Sequence, residues 1–210
     1  LAIAGTILDD APGGDAACNI LASLLDDGET GQPAALLLRE AAMHKGDPAR
    51  LKQALVVLLE HESDPVQRAG LRHSLAQVLD ALGQATSSDE VQAQGLLDPL
   101  GASQGLIALV EHLTRRDRMS RLGGLVSETL AALPDPATRI TVRMDAAERL
   151  QAANLPIDAE ILLRANLGDD PNHVPSLSAL AEIAARDPDD RARAEAYLST
   201  ALQADPKNID

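Results

Sequence analysis

The sequence predicts an all-α protein, and three observations lead to this fold class. Of its 210 residues 45% are apolar, mostly Leu and Ala, the strongest apolar helix formers, and the chain has no Phe, no Trp and a single Tyr. β-branched residues are sparse, and no segment alternates apolar and polar residues as a half-buried strand would. Asp-Pro pairs recur along the chain, with prolines 34, 37, 35 and 35 residues apart at Pro65, Pro99, Pro136, Pro171 and Pro206.

The Asp-Pro pairs have a physical meaning as helix punctuation. An Asp side chain caps a helix N-terminus, while Pro fits the first turn, where its missing N–H costs nothing. The same Pro prevents the preceding helix from running on. Further pairs at Asp47-Pro48 and Asp187-Pro188 fall at half-period positions. One helix and one tight turn therefore repeat, which predicts about six antiparallel helix pairs.

The first half of the chain gives five helices and one weak stretch. Apolar spacing predicts the helices over Leu1–Asp9, Asp15–Asp27, Pro33–Lys45, Pro48–Glu62 and Pro65–Gly83. In the second of these, the expected apolar stripe consists of Ile20, Leu21, Leu24 and Leu25. The polar stretch Gln84–Ser88 is predicted to be a loop, followed by a short helix over Asp89–Leu97.

Three more helix pairs are predicted in the second half: Ala102–Arg115 with Met119–Leu133, Pro136–Asn154 with Ile157–Leu167, and Val174–Arg186 with Asp189–Ala204. Gly123-Gly124 lies within the predicted helix Met119–Leu133. These glycines either permit a close approach of a neighbouring helix or weaken this helix locally. The units are then approximately 1–32, 33–64, 65–98, 99–135, 136–170 and 171–206. No linker divides them, so one continuous array is expected. Within residues 1–64 the helices can also be paired in a register shifted by one helix.

The last unit resembles the tetratricopeptide repeat. In that repeat a Leu-small pair and a large residue lie on the first helix, and a small residue, a large one and an Ala follow on the second helix before the closing Pro. The matching residues here are Leu180-Ala181, Ala184, Ala194, Leu198, Ala201 and Asp205-Pro206, so that Leu198 has a large packing position. The preceding unit is similar, with Asn166 where Ala is usual. Small residues such as Ala181 and Ala194 would let the two helices touch where they cross. The aromatic residues common in that family are replaced here by Leu or Ala.

The resemblance implies a right-handed α-solenoid whose concave surface, lined by the first helix of each pair, binds an extended peptide or a helix of a partner protein. The inward positions would form a polar, acidic groove that suits a basic or neutral ligand. We predict the groove residues to be His73, Gln77, Asp80, Glu111, Met144, Glu148, Gln151, Ser178 and Glu182.

Other functions are disfavoured by composition and spacing. A net charge of −14 repels nucleic-acid backbones. No apolar run is long enough to cross a membrane. The five His residues lack metal-ligand spacing, there is no phosphate-binding loop, and the lone Cys18 is expected to be a small buried thiol. We therefore expect no catalytic residues, no metal and no cofactor.

Two alternatives to a peptide-binding scaffold remain open: a homo-oligomeric assembly element, and a regulatory domain of a larger enzyme or sensor. A local acidic-peptide site at the basic cluster Arg115, Arg116, Arg118 and Arg121 competes with a simpler role for these cations at a helix C-terminus. The chain begins at Leu1 and ends on a repeat boundary, so we expect a piece of a longer polypeptide. The sequence fixes no compartment, although a cytoplasmic one is slightly favoured.

Overall fold

The computed structural model describes residues 14–98 and 101–206, and these residues form eleven α-helices and no strand. The helix predicted over Leu1–Asp9 lies outside the described residues. The helices are α1 Asp15–Ser23, α2 Gly31–Lys45, α3 Pro48–His61, α4 Pro65–Ala81, α5 Ala85–Ala93, α6 Ala102–Thr114, α7 Leu122–Leu130, α8 Pro136–Ala152, α9 Pro156–Asp169, α10 Val174–Ala185 and α11 Arg191–Ala204. Short 3₁₀ turns cover Gln94–Leu97, Met119–Arg121 and Pro188–Asp190.

The chain falls into two compact units, Leu1–Gly95 and Leu96–Asp210, called unit 1 and unit 2 below. In unit 1, α2 packs along α3 and α4 along α5. In unit 2, α8 packs along α9 and α10 along α11, while α7 lies mainly against α8. Short turns reverse the chain between partners, so each pair is antiparallel. No helix over the described residues is long and apolar enough to cross a membrane.

The Asp-Pro signal works as predicted at three helix starts. Asp47, Asp64 and Asp135 each accept hydrogen bonds from two backbone N–H groups of the first turn, and each is followed by Pro in that turn. At the other ends, Gly46 and Gly83 have φ of 68° and 74°, a left-handed conformation that favours glycine. The Asp residues thus mark helix starts because their side chains bond to free backbone N–H groups, and the Gly residues mark helix ends because they adopt the left-handed conformation found there.

The cores consist of Leu and Ala with few other apolar residues. In unit 1, Cys18 is fully buried among Leu21, Ala34 and Leu38, as expected of a small thiol. A second cluster joins α3 to α4. In unit 2, Ala147, Ala159, Ala181 and Ala194 are buried within the helix pairs, so their small side chains allow close packing.

Three predictions about local structure are wrong. Gln84–Ser88 is mostly helical, because α5 begins at Ala85 and the buried Ser88 hydroxyl donates to the carbonyl of Ala76 at 2.8 Å. The helix predicted over Asp15–Asp27 ends at Ser23, and its Ile20 is 41% exposed. Leu198, assigned to a large packing position, is 48% exposed.

Gly123-Gly124 has a mixed explanation. Gly123 is buried, and a Cβ added there would lie 3.4 Å from the Cβ of Asp158 on α9. A Cβ at Gly124 would meet nothing within 4 Å. Only the first glycine therefore permits a close helix approach.

Candidate functional site

Five of the nine predicted groove residues line a single cleft in unit 2. The cleft lies between α8 and α10, with a volume of about 250 Å³. Its predicted members are Met144, Glu148, Gln151, Ser178 and Glu182. Apolar residues that the sequence analysis did not single out as groove residues complete the lining, namely Ala147, Leu163, Pro175 and Ala179. We call this the unit-2 cleft.

The unit-2 cleft combines an apolar lining with carboxylates. Glu148 on α8 and Glu182 on α10 are both exposed, and neither forms an ion pair with any residue that the structure describes. Gln151 is held in place, since its Oε1 accepts a hydrogen bond from Nη2 of Arg186 at 3.0 Å. The unit-2 cleft thus places two exposed carboxylates beside apolar side chains.

A buried polar network supports the wall of the unit-2 cleft. Asn166 and Ser176 are fully buried, and Nδ2 of Asn166 donates to Oγ of Ser176 at 3.0 Å. Oγ of Ser176 also lies 3.3 Å from Sδ of Met144, a cleft residue. Asn166 therefore replaces the usual Ala because it joins α9 to α10 through hydrogen bonds.

The start of α10 departs from the Asp-Pro rule. Asp170 does not cap this helix, since its Oδ1 accepts from the backbone N–H of Asn172 within the preceding turn. The cap is His173, whose Nδ1 accepts from the backbone N–H of Ser176 at 3.3 Å. Sequence reasoning missed this role because histidine is not a preferred N-cap residue. The His-x-x-Ser spacing was the available signal.

Two arginines fix the end of α9 against α8. Asp169 pairs with Arg139, and its Oδ2 lies 2.6 Å from Nη1 of Arg143. All three side chains are less than one-fifth exposed. The hydrogen bonds from Arg139, reinforced by Arg143, lower the pKa of Asp169 to about 2. The clamp therefore joins the two helices of one pair, whereas the polar network joins α9 to α10.

The other four predicted groove residues do not join the unit-2 cleft. Gln77 on α4 lines a separate cleft in unit 1, and its Nε2 lies 2.8 Å from Nε2 of His73. Asp80 is partly buried on the same helix. Glu111 on α6 is exposed and forms an ion pair with Arg115 at 2.9 Å.

The unit-1 cleft has a volume of about 450 Å³ and lies between the α2–α3 turn and α4. Its lining is largely apolar: Ala42, Met43, Gly46, Asp47, Pro48, Leu51, Gln77, Val78 and Ala81. Met43 is 64% exposed. The two clefts occupy equivalent places in their helix pairs, since each lies where the first helices of successive pairs meet.

The basic cluster is partly engaged in local contacts. Arg115 pairs with Glu111, and Nη1 of Arg116 donates to the carbonyl of His112 in the last turn of α6. These contacts agree with cations at a helix C-terminus. Over residues 14–98 and 101–206, no three His, Cys, Asp or Glu side chains are grouped so that they could hold a metal ion.

These features define the class of protein: an all-α helical repeat with tetratricopeptide-like helix pairs. No known family model matches the sequence, and no curated protein does. Two crystal structures of MamA are similar to this chain, each at a TM-score of 0.40. The first is 11% identical in sequence, and the match covers 85% of this chain and 93% of the MamA chain. The second is 12% identical, and the match covers 80% of this chain and 94% of the MamA chain. The P58(IPK) TPR domain has a TM-score of 0.35 and 16% identity, over 98% of this chain and 60% of that one. At TM-scores this low, the similarities establish no shared function.

Proposed function

We propose that this chain is a non-catalytic protein-interaction module, and that the unit-2 cleft holds a basic segment of a partner protein. The observation that carries the proposal is the meeting of α8 and α10 around one cleft with two unpaired carboxylates, Glu148 and Glu182. The side chains come from two helices 34 residues apart in sequence, so the cleft exists only when the helix pairs stack.

The lining of the unit-2 cleft supports a particular kind of partner. Met144, Pro175 and Ala179 offer apolar surface, and a volume of about 250 Å³ suits one aliphatic side chain better than a large ligand. Glu148 and Glu182 then face a neighbouring Lys or Arg of the same segment. Across the whole chain, the net charge of −14 attracts such a basic segment and favours fast association.

A peptide library displayed on phage tests this proposal with the full chain as bait. The selected peptides should combine Lys or Arg with an aliphatic residue. Their affinity should fall roughly tenfold or more in the double variant Glu148→Gln, Glu182→Gln, because hydrogen bonds to charged groups contribute about 1.5–3 kcal/mol each. Glutamine keeps the size of each side chain, so the fold should be preserved.

A matched control separates the cleft from the general charge. Glu90 on α5 and Glu128 on α7 are also exposed and unpaired among the described residues, and neither lines the unit-2 cleft. The double variant Glu90→Gln, Glu128→Gln loses the same charge and should bind within about twofold of the wild type. An equal loss in both double variants, or none in the cleft variant, would refute docking in this cleft.

A further inference from the structure

The cap of α10 is unusual because it can change with proton uptake. His173 accepts a hydrogen bond at Nδ1 from the backbone N–H of Ser176, and Oγ of Ser176 lies 2.8 Å from the same nitrogen. An imidazole nitrogen that accepts a hydrogen bond carries no proton. The cap therefore needs Nδ1 of His173 to be unprotonated, unlike the Asp caps of α3, α4 and α8.

A second arrangement of hydrogens is available around Ser176. When Nδ1 of His173 carries a proton, it donates to Oγ of Ser176. The Ser176 hydroxyl then turns to Sδ of Met144, 3.3 Å away, while Nδ2 of Asn166 continues to donate to Oγ. Every side chain of the network keeps a partner in this arrangement, but the backbone N–H of Ser176 loses its acceptor.

The change bears on the unit-2 cleft because Met144 and the first turns of α10 form part of its wall. Met144 lines the cleft directly, and Pro175 and Ser178 are cleft residues in the first turns of α10. A first turn without its cap is less stable and positions its side chains less well.

The carboxylates on the elements packed against α10 keep their charge over the pH range in which histidines ordinarily titrate. Asp169 at the end of α9 is held by Arg139 and Arg143 of α8, and its pKa of about 2 keeps it ionised. Asp170, in the turn before α10, accepts from the backbone N–H of Asn172. Carboxylates ordinarily titrate near pH 4, and histidines near about pH 6.5. His173 is the histidine among the residues of this polar network.

We propose that His173 is a proton-sensitive cap: proton uptake moves the Ser176 hydroxyl from His173 to Met144, loosens the first turn of α10, and weakens partner binding in the unit-2 cleft. The consequence for binding rests on the proposed function. The hydrogen-bond rearrangement does not depend on the proposed function, because it takes place within the chain itself.

Methyl NMR of the full chain tests the rearrangement without any partner. The protein has three methionines, so ¹³C-methyl labelling gives three signals. Between about pH 8 and pH 5.5, the Met144 signal should follow a single titration in the wild type. In His173→Asn it should stay constant, because Asn caps a helix well but does not titrate. A Met144 signal that is flat in the wild type, or titrates identically in His173→Asn, overturns the proposal.

His44→Asn serves as the matched control. His44 is an exposed residue of α2 in unit 1, so its loss should leave the Met144 titration unchanged. Disappearance of the Met144 titration in His44→Asn would also overturn the proposal, because the signal would then report a different histidine.

Affinity provides the second arm, with the peptides selected by the library as probes. Because a lost helix cap corresponds to about a fivefold change in an equilibrium constant, the wild type should bind the peptides roughly fivefold more weakly at about pH 5.5 than at pH 8. In His173→Asn the affinities at the two pH values should differ by less than about twofold. An unchanged pH dependence in His173→Asn overturns the regulatory inference while docking stands. Failure to select any peptide counts against docking, and the Met144 titration still decides the rearrangement.

Discussion

The unit-1 and unit-2 clefts lie at equivalent places, but the contacts that join the helix pairs beside them differ in polarity. In unit 1, the junction between pairs rests on the apolar cluster Leu55, Leu75, Val78 and Leu79. In unit 2, the corresponding junction between α9 and α10 carries the Asn166–Ser176 network, while the Asp169 clamp holds α9 to α8 within its own pair. Helix pairs are thus joined by hydrophobic burial in unit 1 and by buried polar contacts in unit 2. The clefts differ in the same sense, one largely apolar and the other rimmed by carboxylates.

The largest effect is expected from the apolar junction. Leu75 is 2% exposed, and Leu75→Ala should lower the free energy of unfolding by about 2–5 kcal/mol through lost burial and a new cavity. Urea unfolding measures this loss. Leu36→Ala removes the same atoms from an exposed position and should cost much less. Equal losses in the two variants would mean that Leu75 does not close a packed core.

The next effect concerns how α11 fixes α10, which forms one wall of the unit-2 cleft. Ala194→Arg places a long side chain at a buried position and should destabilise by about 1–3 kcal/mol or more. Leu198→Arg, on the same helix but half exposed, should change stability by less than about 0.5 kcal/mol. A melting curve unchanged by Ala194→Arg would show that Ala194 is not at the helix crossing.

A smaller effect, with a distinct pH signature, is expected from the Asp169 clamp between α8 and α9. The pKa of Asp169 is about 2 against an ordinary value of 3.8, so this carboxylate stabilises the fold above pH 3.8, and the stabilisation is lost as the pH falls through about 2. Asp169→Asn should cost roughly 1–2 kcal/mol at neutral pH. The cost should shrink towards pH 2 in chemical unfolding.

Asp26→Asn is the control for this pH signature, because Asp26 is exposed and makes no ion pair with a described residue. It should show neither the neutral-pH loss nor its decline in acid. If Asp169→Asn lost equal stability at pH 2 and pH 7, the arginine clamp would not be the source of the stabilisation.

The smallest effect tests how closely the helices of unit 2 approach. Gly124→Ala should stabilise by about 0.5–1 kcal/mol, because it adds helix propensity in open space. Gly123→Ala should gain less or lose stability, since its Cβ would lie 3.4 Å from that of Asp158. Thermal unfolding compares them, and an equal gain at both positions would exclude the close contact.

Much of the fold could be predicted from sequence because its signals are local. Asp47, Asp64 and Asp135 are caps because the Asp and the backbone groups it satisfies lie within three residues. The helical state of Ala85–Ser88 could not be predicted in this way. Its polar residues favour a loop locally, whereas the hydrogen bond from the buried Ser88 hydroxyl to the carbonyl of Ala76 depends on a residue twelve positions away.

The candidate site was predictable in part, for a similar reason. Repeat spacing places Glu148 and Glu182 on equivalent faces of α8 and α10, so their meeting follows from the period. The His173 cap has a local signal in the His-x-x-Ser spacing, but its connection to Asn166 and Met144 could not be found, since it depends on contacts across three helices. Glu111 was assigned by the same spacing, but its neighbour Arg115 engages it.

One spectrum tests the central claim most directly, because Met43 lies in the unit-1 cleft and Met144 in the unit-2 cleft. On addition of a library-selected basic peptide to the ¹³C-methyl-labelled chain, the account predicts that the Met144 signal shifts. The Met43 and Met119 signals should stay in place. In Glu148→Gln, Glu182→Gln the Met144 shift should be lost. A shift of Met43 without Met144, or equal shifts of all three signals, would contradict the assignment of the docking site to the unit-2 cleft.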